Sequence, residues 1–87
     1  MGNLVFTERA WEEYLNWQAE DKKTLKRINL LLKDILRNGF QGLGKAEPLR
    51  GNLSGMWSRR IDDKNRLVFR IAGEQIEIIQ LRGHYDD

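Results

Sequence analysis

The chain contains no cysteine, one histidine (His84) and one proline (Pro48) among its 87 residues. The lack of cysteine excludes disulfides, thiolate metal sites and thiol nucleophiles. It also points to a reducing, cytoplasmic setting. One histidine does not build a zinc site of the usual types without help from carboxylates. No apolar run approaches the ~20 residues of a membrane span. The opening Met1-Gly2-Asn3-Leu4-Val5-Phe6 lacks a basic region leading into an apolar stretch, so no secretory signal is expected. A chain of this length is expected to form one small domain, residues 1–87, without room for a separate cofactor domain. With 40% hydrophobic and 32% charged residues it has enough apolar surface to fold, which argues against disorder.

What is present is periodic. Asn3-Leu4-Val5-Phe6 predicts a brief first strand. Thr7 is a good N-cap with Glu8 in the first turn, predicting a helix from about Glu8 to Ala19. The expected inner face of that helix carries Trp11, Tyr14, Leu15 and Gln18 or Ala19. Asp21 breaks this helix and caps a second, Lys22 to Arg37, where Leu25, Ile28, Leu31, Leu32, Ile35 and Leu36 recur at steps of three and four. Lys22, Lys23, Lys26, Arg27 and Lys33 lie on its opposite face, read as solvated, and Asn38-Gly39 ends it. So short a link predicts an antiparallel helical hairpin. Gly39 to Gly55 reads as a glycine-rich functional loop. The last third predicts strands at Trp57–Ile61, Leu67–Ile71 and Gln75–Arg82, joined by short turns into an antiparallel meander. In the middle strand Leu67, Phe69 and Ile71 share one face and Arg66, Val68 and Arg70 the other. The run Ile76, Ile78, Ile79 and Leu81 does not separate the faces of the last strand. The expected class is α+β: an N-terminal strand and a two-helix hairpin on one face of a mostly antiparallel sheet of about four strands.

Net charge is only +2, yet it is unevenly spread. From Lys45 to Arg70 seven basic residues stand against Glu47, Asp62 and Asp63, the electrostatic footprint of a nucleic-acid binder. Arg59 and Arg60 are neighbours in a strand, so one of them faces the helices or the sheet edge. An arginine there needs a partner, which predicts a structural ion pair for Arg59 and leaves Arg60 on the exposed face. Trp11, Tyr14 and Trp17 are spaced for core or dimer packing rather than base stacking, and Trp57 shares the core face with Ile61. His84 has the one side chain whose ordinary pKa lies near neutrality. RNA supplies its own nucleophile, the 2′-hydroxyl, so a base, phosphate-holding arginines and an acid for the leaving 5′-oxygen make a sufficient set.

The segments GLGKAEPL (Gly42–Leu49), Asn52-Leu53-Ser54-Gly55, Trp57-Ser58-Arg59-Arg60-Ile61, Arg66-Leu67-Val68 and His84-Tyr85, with Trp11-Glu12-Glu13-Tyr14-Leu15 ahead of them, resemble the YoeB-type toxins of the RelE/ParE superfamily over nearly the whole chain. These are the ribonuclease halves of bacterial toxin–antitoxin pairs. The resemblance implies an endoribonuclease that needs no metal or other cofactor and cuts mRNA in the ribosomal A site. It implies Glu47 as general base, Arg66 as stabiliser of the transition state and His84 as general acid. Lys45, Arg50, Arg60 and Tyr85 are implied to hold RNA and phosphate. Implied partners are mRNA, the ribosome, a YefM-like antitoxin whose extended tail wraps the toxin, a second copy in a homodimer, and DNA reached through the antitoxin complex; no membrane is implied.

The chain departs from the family pattern at Ala46, where proline is common, at Arg50, where lysine is usual, and at Met56, where an aromatic residue is usual. Asp86 and Asp87 follow the His-Tyr pair at which the family tends to end, adding negative charge beside His84. Two other functions fit the same superfamily: a gyrase-directed inhibitor, which has no use for Glu47, Arg66 and His84 together, and a non-catalytic RNA- or ribosome-binding module, which would be indifferent to His84→Gln.

Overall fold

A computed structural model describes residues 2–39, 46–50 and 55–84. The elements in order are β1 (Asn3–Phe6), α1 (Glu8–Glu20), α2 (Lys22–Asn38), β2 (Glu47–Pro48), β3 (Trp57–Arg60), β4 (Arg66–Ala72) and β5 (Gln75–Gln80). Thr7 caps α1 by accepting a hydrogen bond from the Ala10 amide at 3.1 Å. Asp21 alone separates the helices and accepts from Lys23 N and Thr24 N, each at 3.1 Å. Bonds from the Thr24 hydroxyl and amide, then the amide and charge of Lys23, outweigh its partial desolvation and hold its carboxyl below the ordinary range. Gly39 closes α2 with φ +63°, a left-handed conformation suited to glycine. The Tyr14 hydroxyl donates to Asn29 Oδ1 at 2.8 Å, and Trp11 shares a groove with Leu36, so α2 runs back along α1 as a hairpin.

The sheet order is β1-β5-β4-β3-β2. β3, β4 and β5 form the expected antiparallel meander, and β1 joins β5 in parallel, Asn3 opposite Gln75 through Phe6 opposite Ile78. The sheet has five strands rather than about four. The additional one is Glu47–Pro48, inside the stretch read as loop, antiparallel to Ser58 and Trp57. Two residues show no alternation, and proline is tolerated there because the strand is an edge.

The core lies between the hairpin and one sheet face, where Ala10, Trp17, Ile28, Leu31 and Ile35 meet Leu67, Phe69, Ile78 and Leu81. The inner face of α1 differs from the expected one. Ala10 and Trp17 are buried and Tyr14 is partly so, whereas Trp11 (47%) and Leu15 (39%) remain exposed. The helix is rotated because it is fastened to the end of β5: Glu13 Oε1 accepts the Leu81 amide at 2.7 Å, and Trp17 Nε1 donates to the Leu81 carbonyl at 2.9 Å. Trp57 is half-buried against the core, as its parity with Ile61 predicts. Arg59 is buried on the same face and pairs with Asp34 of α2, the structural ion pair expected.

Candidate functional site

Residues directly opposed in a β-ladder project to the same face. Glu47 opposes Ser58, Ser58 opposes Val68, and Val68 opposes Gln80. These four side chains therefore form one row across the face turned away from the helices. The row spans about 14 Å at the ~4.8 Å spacing of neighbouring strands. Arg60 and Arg66 oppose each other in the next row of the same face, about 7 Å along the strands. A carboxylate at one end of a floor and two guanidiniums beside it thus share a surface.

The floor is not bare. Ser58, Val68 and Gln80 are all buried, although parity leaves them on the face expected to be open. Arg70, on the same face, forms an ion pair with Glu77. Arg60 is exposed and pairs with Asp63 three residues on; its carbonyl accepts from Arg27 Nη2 of α2 at 3.3 Å. An exposed pair of this kind contributes little to stability, so Asp63 is a counter-ion that a phosphate can displace. Arg66 is half-buried and donates through Nη1 to the Asp62 carbonyl at 3.3 Å. Arg50 is exposed just beyond β2. Among the described residues, neither the Glu47 carboxylate nor the His84 imidazole takes a hydrogen bond or ion pair, and both are exposed. Lys45, Tyr85, Asp86 and Asp87 lie outside the described residues, as do 40–44 and 51–54 of the glycine-rich stretch.

The backbone that carries His84 is tied to this face through an irregularity in β5. Phe69 opposes Ile78 and Val68 opposes Gln80, so Ile79 is an extra residue, a β-bulge. The bulge sends Gln80 to the site face and Leu81 into the core. Gln80 Nε2 then donates to the carbonyls of Arg82 (3.2 Å), Gly83 (3.3 Å) and His84 (3.2 Å). Neither Gln80 nor Asn65 was a candidate on sequence grounds. A glutamine at a strand end and an asparagine in a turn both read as surface residues; the one signal was a polar residue within the apolar run Ile78-Ile79-Gln80-Leu81.

The turn that delivers Arg66 is organised by Asp62. Its Oδ1 accepts the amides of Lys64 and Asn65, each at 2.8 Å, and the Asn65 side chain at 3.0 Å. Partial burial pushes this carboxyl up, but the Asn65 side chain, the two amides and the Lys64 charge together outweigh burial and hold it below its ordinary 3.8. A lowered folded-state pKa contributes stability that is present above the unfolded value and is lost as pH falls through the folded one. Because Asp62 is exposed and solvent screens its charge, Asp62→Ala is expected to cost no more than about 1 kcal/mol at neutral pH, through the turn hydrogen bonds it removes. In urea melts across pH, its difference from the parent chain should shrink below 3.8; a gap independent of pH would contradict this.

Two helices on one face of a five-stranded sheet, with arginines and a returning C-terminal segment on the other, define the α+β fold of the RelE-like toxins. Residues 6–85 match the family model described as YoeB-like toxin of bacterial type II toxin–antitoxin systems. The chain belongs to that family. It is similar to Toxin YoeB of Streptomyces coelicolor, with 52% identity over 82 residues, covering 94% of this chain and 98% of the relative. Among solved structures it is similar to the toxin in the YoeB–YefM complex from Staphylococcus aureus, with TM-score 0.89 and 43% identity, covering 98% of this chain and 99% of that one. It is likewise similar to the YoeB dimer from the same organism, with TM-score 0.89 and 45% identity over 97% and 98% of the two chains.

Proposed function

We propose that this toxin is a metal-independent endoribonuclease that cleaves mRNA in the ribosomal A site. The observation that carries the reading is the shared face of Glu47, Arg60 and Arg66, with the segment bearing His84 folded back onto it. Glu47 takes the proton of a ribose 2′-hydroxyl, whose oxygen attacks the adjacent phosphorus. Arg66 and Arg60 stabilise the extra negative charge of the phosphorane. His84, as imidazolium, gives a proton to the departing 5′-oxygen, leaving a 2′,3′-cyclic phosphate and a free 5′-hydroxyl. Arg50, Lys45 and Tyr85 hold the neighbouring nucleotides. The ribosome supplies part of the rate by holding the mRNA in line, which is why so small a chain suffices.

The partners follow the same reading. A YefM-type antitoxin neutralises the toxin, as the complex from S. aureus supports, and carries it to DNA. A second copy packs on the apolar side, where the exposed Trp11 stacks on Tyr14 at 6.0 Å beside a groove lined by Leu4, Phe6, Leu32 and Leu36; the dimer from S. aureus supports that state. The gyrase-directed alternative leaves Glu47 and His84 without a task.

The test is cut-site mapping on translating mRNA with and without ribosomes. Cleavage should require ribosomes, and Glu47→Ala should reduce its rate by about 10²-fold or more. Near-full activity of Glu47→Ala would remove that residue from the mechanism.

A further inference from the structure

We propose that Gln80 and Asn65 are positioning residues for His84, acting through its backbone rather than on the RNA. This rests on the ribonuclease reading above. Three observations carry it.

The first is Gln80. It is 5% exposed, and the bulge at Ile79 aims its amide at the site face. An amide NH₂ has two donors, yet three successive carbonyls, those of Arg82, Gly83 and His84, lie within 3.3 Å of Nε2. The segment is wrapped around one nitrogen. Gly83, at φ +83°, allows the chain to curl that tightly.

The second is Asn65, the residue immediately before Arg66. Its Oδ1 accepts the Gly83 amide at 2.8 Å, while the Gly83 carbonyl accepts the Arg66 amide at 3.0 Å. Both backbone groups of Gly83 are thus bound at the start of β4, so the residue immediately before His84 is registered against Asn65 and Arg66.

The third is the orientation of the two amides. Asn65 Nδ2 donates to Asp62 Oδ1 and Oδ2 at 3.0 and 3.1 Å, which leaves its oxygen toward Gly83. Reversing that amide would set oxygen against carboxylate and NH₂ against N–H. Reversing Gln80 would set its oxygen against three carbonyls. Each amide therefore has one satisfiable orientation.

On the opposite face the same segment is gripped by α1. The Thr7 hydroxyl donates to the Ile79 carbonyl at 3.0 Å, Glu13 and Trp17 hold Leu81, and the Arg82 guanidinium lies 3.9 Å from the centre of the Trp17 ring. The core side fixes where the chain leaves β5. The two amides fix where it goes next, and hence how far the imidazole stands from a phosphate held by Arg66.

Gln80→Met tests this, because methionine nearly fills the glutamine volume but donates nothing. On programmed ribosomes kcat should fall about ten- to hundred-fold, as expected for an acid displaced by roughly 1 Å. The half-saturating ribosome concentration should stay within about two-fold, because the arginines that bind RNA are untouched. Backbone order parameters of Gly83 and His84 should fall from about 0.85 toward 0.6. Asn65→Ala, in a surface turn, should give the same split from the other end of the network, and it decides the matter if Gln80→Met does not fold. Unchanged kcat in these variants, or lowered kcat with unchanged order at residues 83–84, overturns the positioning role. His84→Gln in the same assay separates the two levels. Wild-type cleavage there defeats the reading of His84 itself, whereas loss there beside a fully active Gln80→Met defeats only the positioning.

Discussion

Arg66→Ala and His84→Gln are each expected to cut the rate of mRNA cleavage on programmed ribosomes by about 10²- to 10⁴-fold while the chain stays folded. The two losses have different origins. Arg66 opens β4, and among the described residues its guanidinium is engaged by one acceptor, the Asp62 carbonyl. Of its five N–H donors, most remain for a phosphate, and they matter most when the phosphorane carries its extra charge. Arg66→Lys keeps the charge but loses the planar fork, so it should recover only part of the rate. His84 is exposed, so its replacement removes no packing and should leave the melting temperature within a few degrees. Circular dichroism with single-turnover cleavage checks both. Undiminished cleavage in both variants would remove Arg66 and His84 from the mechanism, whereas no cleavage by the parent chain itself would favour a non-catalytic RNA- or ribosome-binding protein.

Much of this fold is legible in the sequence because its local signals agree. Thr7 and Asp21 are strong caps, Gly39 is a strong stop, and the three-four spacing of α2 is unbroken. The parity of β3 and β4 correctly separates Arg59 from Arg60 and puts Arg60 on one face with Arg66, whereas their direct opposition comes from the register of the pairing. What is not legible depends on long-range contacts. The faces of β5 do not resolve by pattern because the bulge at Ile79 changes the alternation midway. β2 is too short to carry a period, and only its pairing with β3 reveals it. The inner face of α1 is misread because Glu13 and Trp17, fastened to Leu81, decide its rotation, leaving the more apolar-looking Trp11 and Leu15 outside. In the site, residue types give the arginine face and single out the lone histidine, and the motif resemblance nominates Glu47, Arg66 and His84 together. The amides that hold the His84 segment do not stand out, because a hydrogen bond to a backbone carbonyl leaves no mark on composition.

The second large effect concerns stability. Asp34→Ala is expected to destabilise the fold by about 3–5 kcal/mol, a large part of what a small domain has. The Arg59 side chain is 0% exposed, whereas that of Asp34 is 14% exposed. Arg59 also donates to the Gly39 carbonyl at the end of α2 and lies 6.0 Å from the centre of the Phe69 ring. Removing the carboxylate takes a counter-charge from a guanidinium that has no access to water. Removing the guanidinium instead leaves a carboxylate that can turn toward solvent. The pair should therefore respond asymmetrically: Arg59→Met, which keeps an apolar stem in the core, should cost less than Asp34→Ala. A symmetrical loss in urea melts of the two variants would show that geometry at the Gly39 carbonyl, rather than desolvated charge, sets the cost. The chemistry predicts a further separation. Arg59 is on the core face and Arg60 on the site face, so Asp34→Ala should cleave mRNA at the parental rate well below its lowered melting temperature. Toxicity in cells should then become temperature-sensitive without any change at the residues that handle RNA.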